Sequence, residues 1–122
     1  MSSSPYKGKT GLRRIWNAFR YTLQGLAAAF RYEDAFRQET MLALVMIPLT
    51  FLVASGGANR ALLIGSVLLV LIVELLNSAL EAAVDRISLD NHDLAKRAKD
   101  IGSAAVFVSL VNLAVVWLLV LI

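Results

Sequence analysis

The chain has 122 residues, 58% of them hydrophobic, and a mean hydropathy of +0.68. Water-soluble domains hold about 45–50% apolar residues, so an ordinary soluble core in one domain of this size is excluded. There is no cysteine, which removes disulfides and thiolate chemistry, and the net charge of +3 matters more by its placement than its size, with no nucleic-acid partner expected.

Residues 1–11 are rich in Ser, Gly and Lys, contain Pro5 and lack an apolar stretch ahead of a small-residue cleavage site. They are expected to form a disordered tail without a secretory signal. From Leu12 to Arg31 the apolar residues Leu12, Ile15, Trp16, Phe19, Leu23, Leu26 and Phe30 recur at helical spacing. Arg13, Asn17, Arg20, Gln24 and Arg31 gather opposite them. Basic residues on one side and Trp, Phe and Leu on the other predict an amphipathic helix lying in the membrane interface.

Three apolar segments follow, predicted as transmembrane helices over 34–54, 60–87 and 97–122. The first contains Pro48, where a kink is expected, and ends in the turn Ser55-Gly56-Gly57-Ala58-Asn59. The second is about 42 Å long, more than the roughly 30 Å of hydrocarbon, so one end projects into water. A polar loop is expected over 88–96. Trp117, near the end of the third helix, suits an aromatic anchor. Lys and Arg count seven in the N-terminal segment up to Arg37 and four around the second loop, against Arg60 alone in the first loop. This bias places the N-terminus and the second loop in the cytoplasm and the C-terminus on the outer side.

The segment Glu74-Leu75-Leu76-Asn77-Ser78-Ala79-Leu80-Glu81-Ala82-Ala83-Val84-Asp85-Arg86 carries the chemistry. At about 100° per residue, Glu74, Asn77, Ser78, Glu81 and Asp85 share one face roughly 100° wide. Glu74 lies about 16 Å along the axis from Asp85, inside the hydrocarbon zone if Asp85 sits at the interface. A carboxylate at that depth costs a few kcal/mol, so it must face protein or a watery cleft, or take up a proton. Glu33, Lys99 and Asp100 enter at the level of Glu81 and Asp85. Carboxylates for Mg²⁺, a Lys for phosphate and a buried acid suit phosphoryl transfer at a membrane surface. The stripe alone leaves helix–helix adhesion and an ion or proton path equally open, and no Walker A or G-x-G-x-x-G pattern is present.

The same residues resemble the prokaryotic integral-membrane diacylglycerol kinases. The similarity runs through Glu33, Ala35-Phe36-Arg37-Gln38-Glu39, the stretch from Glu74 to Arg86, His92, and Ala98-Lys99-Asp100-Ile101-Gly102-Ser103-Ala104-Ala105. It implies an all-α membrane protein, an interfacial helix plus three transmembrane helices, assembled as a homotrimer with shared sites. The implied reaction is Mg²⁺-dependent transfer of the ATP γ-phosphate to diacylglycerol, giving phosphatidic acid at the cytoplasmic face of the bacterial inner membrane. By the same resemblance Glu74 is the general base and Asn77 its support, and Glu33 and Glu81 hold Mg²⁺ on ATP. Arg14, Tyr21, Asp85, Asp90, Asn91, His92, Lys99 and Asp100 join Glu33 and Glu81 as ATP contacts. Arg14, Glu74, Ser103 and Trp117 fall at lipid-substrate positions. Gln24 departs from a position often basic in the family. His92, the single histidine, reads equally well as a solvated loop residue. An undecaprenol kinase is the nearest alternative, and a non-enzymatic ion- or proton-conducting protein is the alternative of another class.

Overall fold

The computed structural model describes residues 11–87 and 92–122, which form four helices and no strand. They are α1 (Gly11–Tyr32), α2 (Asp34–Val53), α3 (Gly57–Ile87) and α4 (Asp93–Leu121). α2, α3 and α4 are each long and apolar enough to cross a membrane. Residues 1–10 of the expected tail, and the candidate ATP contacts Asp90 and Asn91, lie outside the described residues.

Two helices begin earlier than the sequence suggests. α3 starts at Gly57 rather than residue 60, because Gly56 alone makes the reversal at a φ of 85°. Asn59 Nδ2 then donates to Ser55 O at 3.1 Å and Arg60 N to Gly56 O at 3.2 Å, closing the first turn. α4 starts at Asp93 rather than residue 97. His92 Nδ1 accepts from Leu94 N at 3.0 Å, Asp93 occupies the electropositive first turn, and Lys96 pairs with Asp100 one turn on. Hydropathy marks where a helix enters lipid, not where it begins, so these polar first turns read as loop. α2 continues as helix through Pro48.

α3 is the central element, packing most extensively on α4 and next on α2. Its buried residues are Leu63, Ser66, Val67, Val70, Glu74 and Asn77, spaced by three and four along one face. The half nearer Gly57 is mostly apolar and the other half polar. α2 presents Phe36, Ala43 and Thr50 to the interior, and α4 presents Gly102 and Ser109. The buried hydroxyls are satisfied within their own helices: Thr50, Ser66 and Ser109 donate to Ile47 O, Leu63 O and Val106 O at 2.7, 2.7 and 2.6 Å. Outward faces carry Leu44, Leu52, Phe107 and Leu119, as a lipid-facing surface requires.

Candidate active site

At its polar end the inner face of α3 meets α2 and α4. Glu74 is 6% exposed, so its carboxyl faces protein rather than lipid. Glu39 of α2 lies close enough to Glu74 for the two carboxyl groups to act on each other. Glu39 Oε2 is buried and accepts no hydrogen bond. The charges of Glu81 and, more weakly, Glu33 also act on Glu74. Carboxyl groups from the α1–α2 junction, α2 and α3 are thus gathered in one region, but no three or more ligating side chains converge as a metal site among the described residues.

One turn from Glu74, Asn77 is 9% exposed and sends Nδ2 to Glu81 Oε1 at 2.9 Å. The amide expected to support Glu74 is therefore bonded to Glu81, the other of its two neighbours at helical spacing. Lys99 Nζ stands 2.5 Å from Asp85 Oδ1 and within range of the Glu81 charge, so the ammonium lies on the acidic face of α3. Asp100, its neighbour in sequence, instead pairs with Lys96 at 2.7 Å and lines a separate depression with Arg97 and Ala104. Adjacent residues on a helix point about 100° apart, so one chain cannot present both to the same place.

Glu33 is the break between α1 and α2. Its backbone is extended (φ −115°, ψ 107°), and its side chain makes no capping hydrogen bond. Arg37 fixes this elbow. Its Nη1 donates to Phe30 O at 2.7 Å and Arg31 O at 3.2 Å, carbonyls at the end of α1 that have few partners in the helix, and its Nη2 pairs with Asp34. Behind the elbow, α1 and α3 enclose an open cleft of about 510 Å³. Small residues (Gly25, Ala29, Ser78, Ala82) line its walls, and Glu33 stands at its edge. Arg14 is exposed near the start of α1, and Tyr21 lies beneath the Arg20 guanidinium at 5.7 Å; neither lines the cleft.

The remaining candidates lie on α4 or at its start. His92 is the exposed N-cap already described. Ser103 is exposed one turn beyond Lys99. Trp117 lies about 21 Å further along the axis. Its Nε1 donates to Ser66 Oγ at 3.1 Å and Leu63 O at 3.3 Å, so the indole joins α4 to α3 rather than offering its N–H to headgroups.

Residues 20–121 match the model of the family described as prokaryotic diacylglycerol kinase. The chain belongs to this family. It is 57% identical to the diacylglycerol kinase of Pseudomonas aeruginosa, over 99% of this chain and 98% of that one. It is 51% identical to that of Haemophilus influenzae over 88% and 92% of the two chains, and 46% identical to that of Escherichia coli over 92% of each.

A lipid kinase of this family is thus the established class for the chain, and the family match takes in every candidate residue except Arg14. The sequence stretch that carries the resemblance includes Glu39, but no role was read for it there. Its signal was present: Phe36, Glu39 and Ala43 follow the three-and-four spacing of the face that α2 buries.

Proposed function

We propose that this lipid kinase transfers the γ-phosphate of ATP to the hydroxyl of diacylglycerol, giving phosphatidic acid at the cytoplasmic face of the bacterial inner membrane. One observation carries the reading. Glu74 is withdrawn into the protein on the apolar side of Glu81, with Glu81 and Lys99 arrayed nearer the polar end of α3. A lipid hydroxyl held at the interface meets Glu74 from within the bilayer, and nucleotide entering from water meets Glu81 and Lys99 first.

Glu74 accepts the hydroxyl proton as the oxygen attacks the γ-phosphorus, and the β–γ bridging oxygen leaves with ADP. Glu39, against Glu74, holds the base toward the substrate. Lys99 lies where a phosphate can compete with Asp85 for its ammonium. Glu33 and Glu81 would hold Mg²⁺ on the nucleotide. The charges of both act on Glu74, and Mg²⁺ is commonly bound through one or two protein carboxylates plus substrate phosphates and water. When bound it offsets charge on the transferring phosphoryl group.

The helix before the first span lies in the interface and admits lipid through the cleft beside Glu33. Support comes from Leu12, Ile15, Trp16, Phe19 and Leu23, all exposed on α1, where Ala29 is the one buried residue. Ser103 and Trp117 fall near one face of α4 and follow the path of an acyl chain. The kinase is a homotrimer with sites shared between protomers. Arg14 and Asp100 stand away from Glu74 within one chain, and the half-buried Asn112, in the apolar part of α4, makes no hydrogen bond in it. The excess of Lys and Arg before α2 and between α3 and α4 sets the N-terminus in the cytoplasm.

The test is phosphorylation of a panel of lipid alcohols, including diacylglycerol and undecaprenol, by purified protein in micelles. Diacylglycerol is expected to be preferred, with ATP consumed only when Mg²⁺ and lipid are both present. Preference for undecaprenol would overturn the substrate assignment. Glu74→Gln is expected to lower turnover by about 10²–10⁴-fold with the fold retained; near-normal turnover would remove Glu74 as the base.

A further inference from the structure

Gly102 is buried on α4 opposite the polar half of α3. A Cβ at this position would run into Asn77 Oδ1 and stand 3.1 Å from Leu80 Cδ2 and 3.3 Å from Asn77 Cγ. In glycine that direction holds only a hydrogen, so Oδ1 rests against a Cα–H, a weak contact typical of close helix pairs. Asn77 Oδ1 has no other partner and is buried. The amide therefore has one arrangement that suits both ends: oxygen toward Gly102, nitrogen toward Glu81 Oε1 at 2.9 Å. Gly65, on the same α3, has nothing within 4 Å of its Cβ direction.

We infer that Gly102 is a positioning residue for the nucleotide site: its missing side chain seats the Asn77 amide, and that amide fixes the carboxylate of Glu81. The inference rests on the proposed role of Glu81 toward Mg-ATP. A methyl group at position 102 displaces Oδ1, rotates the amide and frees the Glu81 carboxylate to move. The base, Glu74, lies on the other side of Asn77 and has its own partner in Glu39, so the effect falls on nucleotide use before it falls on proton transfer.

The experiment compares Gly102→Ala with Gly65→Ala in the full chain in micelles. The side-chain amide of Asn77, one of five asparagines, is followed by ¹⁵N-asparagine NMR and assigned by its loss in Asn77→Ser. Gly102→Ala is expected to shift that signal and raise KM for Mg-ATP by about tenfold, the size found when groups supporting a metal-ligating carboxylate are disturbed, with a smaller change in kcat. Gly65→Ala is expected to change neither. An unmoved Asn77 signal, or an unchanged KM where Glu81→Gln raises it, would overturn the inference. An unchanged KM in Glu81→Gln itself would overturn the reading of Glu81, and the inference with it. Should Gly102→Ala fail to fold, the double variant Gly102→Ala/Asn77→Ser relieves the clash. It is expected to match Asn77→Ser in KM, and a further rise on adding Gly102→Ala would count against the inference.

Discussion

Lys99 Nζ of α4 lies 2.5 Å from Asp85 Oδ1 of α3, joining the two helices near the polar end of the bundle. Both side chains are about half exposed, at 43% and 58%, so the pair adds little to stability and leaves the ammonium accessible to an incoming phosphate. On the proposed role of Lys99, the ion pair is a resting position for its ammonium rather than a structural bond.

Lys99→Met is therefore expected to lower kcat/KM for Mg-ATP by about 10²-fold or more, the scale of losing a group that offsets phosphoryl charge. Asp85→Asn is expected to cost far less. Thermal unfolding in micelles should be nearly unchanged in both. A large fall in Tm for either variant would show that the pair is structural.

Glu39 and Glu74 meet across the α2–α3 interface. Glu39→Gln keeps the shape of the group but replaces a carboxyl that can pass a proton with an amide that cannot. A fall in kcat of about tenfold is expected, smaller than the loss from removing the base itself, with KM for Mg-ATP little changed. Steady-state kinetics at saturating lipid measure this split, and an unchanged kcat would show that Glu39 only fills space.

The Arg37 guanidinium holds the last carbonyls of α1, and its removal should loosen the elbow that presents Glu33. Arg37→Met is expected to speed proteolytic cleavage between α1 and α2 and to raise KM for Mg-ATP about tenfold, as loss of outer support for a ligating group does. Limited proteolysis and kinetics on the same sample check both. Unchanged cleavage would place the control of the elbow elsewhere.

Leu63 is fully buried between α3 and its neighbours. In water Leu→Ala costs about 2–5 kcal/mol, part of it hydrophobic transfer. Lipid tails are as apolar as leucine, so for a membrane helix the transfer part shrinks and the cavity remains, giving about 2 kcal/mol for Leu63→Ala. Unfolding in mixed micelles of increasing SDS content measures it. A neutral result would mean that Trp117 and its neighbours close the gap.

Much of the acidic stripe of α3 was legible because helical spacing is local. Glu74, Asn77 and Glu81 fall on one face whatever surrounds them, and burial of the first two follows from the cost of acids and amides in hydrocarbon. Glu39 was legible only in part: it keeps helical spacing with Phe36 and Ala43, but nothing local marks that face as the buried one. It stands among Arg37, Gln38 and Thr40 in a polar entry turn, where composition suggests headgroups; only the packing of α2 on α3 turns it inward. Asn77 shows the same limit at closer range. Its placement on the stripe was correct, but whether the amide faces Glu74 or Glu81 depends on α4 offering Gly102 at that height.

The sequence by itself determined the membrane class, the three long apolar helices and the acidic face of α3, because each depends on hydropathy or on residues within a few positions of one another. The tertiary structure decided which of those acids meet, that Lys99 and Asp100 face different ways, and that Trp117 bonds to Ser66. These are pairings between helices, and their register is set by steric fit at particular positions such as Gly102, where one missing methyl group decides the approach.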